Sequence, residues 1–296
     1  MPLWIPVTLA AATFQILRTA RQHQVRDVLS LAAAGYVRFA YGLPFAVVAL
    51  LGTALVRGEL PRPGGDFWPF VLGGGTAQIL GTVALLKAFE LRDFAIGNVF
   101  SKTEVVQVAL ISALLLGEPL RPLGWVGVVV CMVGVVWLAT PSGLRSVMSG
   151  IADPAAGMGA LAGGLFAVSA VCIRGAASTM DGAAWPRAIV TLTVMLAFQT
   201  VLNGVILSAI EPQSPRAVIA AWRSAWIVGL FSLCGSAGWA LAMTLTNAAK
   251  VRTLGQIEIV LAFVISVVWL KERHTPHEYA ASALVVAGIA SVIMLG

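Results

Sequence analysis

The sequence predicts an all-α integral membrane protein with ten transmembrane helices in two inverted five-helix repeats. Three observations lead there. Of 296 residues, 59% are apolar and 11% charged, where a soluble domain carries about a quarter charged. Apolar windows of roughly twenty residues recur along the whole chain, each long enough to cross about 30 Å of hydrocarbon at 1.5 Å per residue. The second half of the chain also repeats a spaced pair of acids from the first half. Barrel strands would alternate in polarity, and these windows do not.

Taken in order, the spans fall near 3–22, 31–56, 67–89, 94–116, 122–140, 154–174, 184–208, 222–246, 249–270 and 277–295. The first has no basic start and runs into "QILRTARQHQVRD" without a small-residue cleavage site, so it reads as a retained span rather than a signal peptide. The second carries Arg38 in "GYVRFAYGLPF", and Pro44 soon after it invites a kink. The third holds "VLGGGTAQILG", a surface for close helix packing; with no Lys-Ser/Thr following, it is no phosphate cradle. The fourth runs into "GEPL" through "FSKTEVVQVALISALLL", where Lys102 and Glu104 stand at the head of an apolar run. The later spans are separated by "GEPLRP", "TPSGLRSVMSG", "STMDG", "IEPQSPR", "TNAAK" and "KERHTPH", where Pro, Gly and charge gather. Short connections make neighbouring helices antiparallel, and no segment is long or polar enough for a soluble domain.

Shifted by 154 residues, "TEVVQVALISALLLGEPLRP" lies on "IEIVLAFVISVVWLKERHTP" without a gap. Glu104 falls on Glu258, Ser112 on Ser266, Glu118 on Glu272 and Pro122 on Pro276; further along, Gly134 falls on Gly288. Apolar matches in apolar helices mean little. Two acids at one fourteen-residue spacing, in a chain with thirteen acids, mean more. A fainter echo links Arg18 with Arg174 and Arg38 with Arg187, at slightly different offsets. The chain therefore divides into residues 1–148 and 149–296, about five spans each. An odd number of spans turns the second half over, the inverted repeat of many secondary transporters.

An acid, a run of apolar residues, then "LGEPL" and a helix with a late Gly, present twice, resembles the EamA family of the drug/metabolite transporter superfamily. The resemblance covers nearly the whole chain. It implies ten spans in two halves, a carrier in the bacterial inner membrane that often exports amino acids and other small metabolites, and cytoplasmic termini. Members of the family often place Pro after the first acid. Here Val105 and Ile259 stand instead, so no proline kinks the helix at that point. Loop charge does not independently fix the orientation, because the nominally outer connections hold at least as many Lys and Arg as the inner ones.

Glu104 and Glu258 lie about ten residues into their spans, roughly 15 Å deep. An acid there faces a cavity or a partner and marks a pathway, or else pins two helices together. Hydrocarbon favours the protonated carboxyl, the chemistry that a proton-coupled carrier needs. Both acids are therefore candidate proton carriers, Glu104 the better one because Lys102 and Gln107 make its surroundings more polar. Lys102 sits about 200° around the helix from Glu104, so it points to another helix or reaches a different acid. Arg38 is too deep to face lipid, and its fork suits a carboxylate; Arg187 either joins it or snorkels to the interface. Gln15, Gln78 and Asn98 are candidates to line a polar cavity, and Trp239 to stack on a ligand or simply to pack. The substrate-binding candidates are thus Arg38, Lys102, Gln78, Arg187, Gln15 and Trp239. Glu118 and Glu272 read as caps at helix ends. Trp4, Trp68 and Trp125 read as interface anchors. Cys131, Cys172 and Cys234 read as small buried hydrophobes.

No cofactor is implied. His23, His274 and His277 stand in or beside connections and offer no metal geometry. The formal charge of +6 is scattered singly over the loops, with no cluster for nucleic acid. The expected partners are a small-molecule substrate, protons and membrane lipids, and one chain of ten spans suffices for a pathway. The leading reading is a proton-coupled secondary exporter of a small polar metabolite, an amino acid or a compound derived from one. A drug or organic-cation exporter is the alternative. An integral-membrane enzyme would need acids, His or Cys clustered at the membrane surface, and a sensor without net transport is not separated by sequence.

Overall fold

The computed structural model describes residues 1–25, 29–91, 94–139, 153–268 and 275–296. The elements among them are all helical: α1 (Trp4–Val25), α2 (Leu31–Ala40), α3 (Gly42–Arg57), α4 (Phe67–Leu91), α5 (Phe94–Ser101), α6 (Glu104–Leu115) and α7 (Pro122–Leu138) in the first half. The second half supplies α8 (Pro154–Ser178), α9 (Ala184–Ile210), α10 (Ser214–Ala220), α11 (Trp222–Leu245), α12 (Ala248–Gly255), α13 (Ile257–Val268) and α14 (Pro276–Leu295).

Each expected window contains helix, but among the described residues six stretches are long and apolar enough to cross a membrane: Ala32–Arg57, α4, α8, α9, α11 and α14. The other four of the expected ten depart for separate reasons. Gln15, Arg18 and Arg21 dilute the apolar character of α1, and α7 is 17 residues long. The windows 94–116 and 249–270 are each interrupted, giving α5 with α6 and α12 with α13. The 31–56 window is divided as well, at Tyr41, three residues before Pro44.

Local chemistry sets several of the helix starts. Ser30 Oγ accepts the Ala33 N–H at 3.1 Å ahead of α2, and Asn247 Oδ1 accepts the Ala249 N–H at 2.7 Å ahead of α12. Thr275 and Glu278 form a capping box at α14, which like α7 carries proline in its first turn.

The chain forms two compact units, and each draws on both sequence halves. The first holds Met1–Thr76 with Cys172–Leu245; the second holds Ala77–Val171 with Thr246–Gly296. In the first unit, Val25, Ala33, Val37, Leu207, Val218, Ala225 and Val228 join the end of α1 to α2, α9, α10 and α11. Phe67, Val71, Ala176, Val190 and Met195 join α4, α8 and α9. Small residues set the closest approaches: a Cβ on Gly238 would stand 2.8 Å from Ala11 Cβ, and one on Gly229 would meet the Tyr41 backbone at 2.5 Å.

In the second unit α7 and α14 run antiparallel in close contact. A Cβ on Gly134 would lie 2.7 Å from Val285 N and 3.0 Å from Ala281 O. One on Gly288 would lie 2.4 Å from Cys131 N, and one on Gly127 2.9 Å from Gly288 O. Shifting 127, 131 and 134 by 154 gives 281, 285 and 288. The contacts are therefore reciprocal: Gly134 meets Val285 and Ala281, while Gly288 meets Cys131 and Gly127. Such an exchange of partners is what a two-fold relation produces.

Candidate functional site

In the second unit the two acids from the sequence repeat stand at two helix breaks. Between α5 and α6 the chain tightens into i→i−3 bonds: Lys102 N–H donates to Val99 O at 3.1 Å and Thr103 N–H to Phe100 O at 3.2 Å. Between α12 and α13 the same tightening recurs, with Gln256 N–H on Thr253 O and Ile259 N–H on Gln256 O, both at 3.1 Å. Neither break uses proline. Thr103 Oγ1 bonds to Phe100 O at 2.6 Å and competes for a carbonyl of the ladder. At the second break Gly255 ends α12.

Each break places an acid in the first turn of the helix that follows, Glu104 in α6 and Glu258 in α13. The N–H groups freed there and the positive end of the helix dipole favour a carboxylate. A continuous helix would offer a buried acid neither. Helices interrupted in this way are how many carriers hold charge at mid-membrane depth.

Each acid takes its cation from the opposite half of the sequence. Arg252, on α12, pairs with Glu104 through its guanidinium. Lys102 Nζ, beside the first break, stands 3.5 Å from Glu258 Oε1. These pairs do not obey the repeat: shifted by 154, Lys102 maps to Gln256 and Arg252 to Asn98. The two pairs also differ in openness. The Glu104 side chain is 9% exposed, whereas those of Glu258, Lys102 and Arg252 are each 20% exposed.

Polar groups extend the cluster. Gln107 Nε2 donates to Thr103 Oγ1 at 3.1 Å and to Ala160 O at 3.3 Å, and Gln256 and Ser101 are buried. The first part of α8 presses its glycines on the first break. A Cβ on Gly159 would lie 2.5 Å from Gly97 O, and one on Gly163 2.7 Å from Ser101 O and 3.1 Å from Glu104 N.

The structure brings three sequence-proposed residues together here, Glu104, Glu258 and Lys102, with Lys102 reaching an acid other than its near neighbour. Sequence reasoning missed Arg252. It lies near the start of the ninth window, six residues before Glu258, and a charge inside an apolar window was the available signal. Gln78 also lies in this unit, half-buried, with its carbonyl accepting from Thr82 Oγ1 at 2.9 Å. Glu272 and the side chain of Asn98 fall outside the described residues.

The remaining candidates belong to the first unit. Arg187 Nη1 donates to Ala177 O and Met180 O, both at 3.3 Å, and so closes the C-terminal end of α8. Trp239 Nε1 donates to Gln15 Oε1 at 3.0 Å, tying α11 to α1. Arg38 lies in the last turn of α2 with its guanidinium 4.4 Å from the Phe39 ring centre.

The model of the EamA-like transporter family matches residues 4–140 and again residues 154–294. The chain belongs to the EamA-like transporter family. It is thus a multi-pass membrane protein of the drug/metabolite transporter superfamily, which points to a transporter rather than an enzyme. An "Uncharacterized transporter in cobO 3'region" of Sinorhizobium sp is 33% identical over 94 residues, 32% of this chain and 64% of that protein. The match therefore spans less than two thirds of that relative's length. A solved structure titled "Crystal structure of protein" aligns over 99% of this chain and 98% of its own, with a TM-score of 0.69 at 17% identity. That likeness concerns the fold.

Proposed function

We propose that this EamA-like transporter is a proton-coupled secondary exporter of a small polar metabolite, an amino acid or a compound derived from one, in a bacterial inner membrane. In this reading ten crossings form two inverted halves, 1–148 and 149–296, with the interrupted windows as symmetry mates. The observation that carries it is the pair of helix breaks, each with an acid in the following turn and a cation from the other half. The reciprocal contacts of the antiparallel α7 and α14 support the inverted relation.

Protonation of either carboxyl dissolves its ion pair and leaves the cation without its counter-charge, so uptake of a proton resets the charge balance of the cluster. Glu258 is the better proton carrier of the two, reversing the preference drawn from sequence. Its side chain is the more open of the two acids, 20% against 9% exposed, and its lysine stands at 3.5 Å, whereas Glu104 is enclosed against the Arg252 guanidinium. Glu104 with Arg252 then serves mainly to hold the two breaks together. Rocking of the halves exposes the cluster to each side in turn.

The test is transport by the purified chain in proteoliposomes under an imposed pH gradient, against a panel of amino acids, amino-acid derivatives and lipophilic cations. The reading expects concentration of a polar member, abolished by a protonophore. Uptake confined to lipophilic cations, or unaffected by collapsing the gradient, would refute it.

A further inference from the structure

We propose that Arg38 is the seat of a carboxylate on the transported molecule, with Arg18 strengthening the local positive field; this rests on the carrier reading and adds the substrate class to it. Cations inside spans need a counter-charge or a set of acceptors. In the second unit Lys102 and Arg252 each have an acid. In the first unit two second-half arginines, Arg174 and Arg187, bind backbone carbonyls. Arg174 Nη1 donates to Met243 O at 3.2 Å and Thr244 O at 2.9 Å, and Arg187 takes the end of α8. Arg38, the first-half counterpart of Arg187, has neither solution: among the described residues no carboxylate or carbonyl receives its N–H groups, and it rests over Phe39.

Its surroundings make the lack sharper. Arg18, on α1, acts on Arg38 with like charge. Of the described acids in that unit, Glu59, Asp66 and Asp181 lie in connections. Glu211 caps the end of α9, where it accepts from Ser30 and Ser214. The last turn of α2 gives a cation modest help from the helix dipole but no acceptor. An unused guanidinium fork offers two parallel N–H donors that match the two oxygens of a carboxylate. Arg18 has interactions of its own, so it contributes field rather than a second fork, which favours a monoanion over a phosphate.

The probes are sodium acetate and sodium benzoate, with acetamide, benzamide and inorganic phosphate as comparisons, added to the full chain in detergent at constant pH and ionic strength. The thermal unfolding midpoint is the readout, because a ligand that binds the folded state raises it. The two carboxylates should raise the midpoint saturably and their amides should not. Arg38→Gln should lose the shift, and Arg38→Lys, which keeps the charge without the fork, should need about tenfold more probe. Exposed Arg223→Gln should behave as the parent. No shift with either carboxylate, equal shifts with the amides, a response to phosphate alone, or a shift that survives Arg38→Gln would each overturn the assignment. If Arg38→Gln does not fold, Arg38→Lys decides. Glu258→Gln should keep the carboxylate shift while losing pH-driven transport, so loss of the carrier reading and loss of the anion seat are told apart.

Discussion

At the scale of residues, the tighter contact in the charge cluster joins Arg252 to Glu104, and the chain isolates it from water more than its companion. Removing one member of such a pair strands the other, which costs about 3 kcal/mol, whereas removing both costs much less. Arg252→Gln should therefore destabilise the fold more than the double variant Arg252→Gln/Glu104→Gln does, measured by thermal or denaturant unfolding in detergent. Equal losses in the single and double variants would show that the pair contributes nothing. Glu104, Glu258 and Lys102 were legible in the sequence because charge is conspicuous in apolar windows. Their pairing was not, since a partner from the other half of the sequence leaves no trace in spacing along one helix.

At the scale of elements, the breaks at 102–103 and 256 depend on neighbours that come close. Gly163 of α8 leaves space for the backbone of the first break, and a Cβ there would run into Ser101 O and Glu104 N, neither of which can step aside. Gly163→Ala should cost about 1–3 kcal/mol by overpacking and reduce transport. Gly157→Ala, with nothing within 4 Å of the added Cβ, should be neutral. A second device lies at the end of α9. Glu211 accepts from Ser30 Oγ at 2.6 Å and from Ser214 Oγ at 2.5 Å, fastening the starts of α2 and α10 together. Those hydrogen bonds, Ser214 first, hold its carboxyl below the ordinary value. A depressed folded-state value means the fastening is fully present above the unfolded carboxylate range and is lost as pH falls through the folded value. The thermal midpoint of the parent should thus fall toward that of Glu211→Gln as pH drops from 7 to about 3. A difference that stays constant over the range would remove Glu211 from the account. Element types and most boundaries were legible from apolar length and from Pro, Gly and charge at the connections. The breaks were not: without a proline at 105 or 259, the signal lay in residues distant along the chain, such as Gly159 and Gly163.

At the scale of the whole molecule, the repeat in sequence and the compact units in space divide the chain differently. Each unit takes helices from both halves, because a repeat that cannot bury its apolar faces alone packs against its copy. The Gly134–Val285 and Gly288–Cys131 contacts are the clearest trace of that arrangement, and the shift of 154 residues foretold which residues would correspond but not that they would touch. Ten crossings would return the chain to the side on which it began. Single cysteines introduced at positions 2 and 296 of a chain lacking its native three should be labelled by an impermeant maleimide from the same face of the membrane; labelling from opposite faces would mean an odd number of crossings. The central claim is that the acids at the twin breaks carry the coupling proton. Its most direct measurement is substrate accumulation in proteoliposomes driven by a pH gradient alone, comparing the parent with Glu104→Gln/Glu258→Gln. The double variant should fold, keep binding substrate and fail to concentrate it, with Glu258→Gln alone accounting for most of the loss. Accumulation by the double variant to the level of the parent would make both acids structural pins and contradict the mechanism.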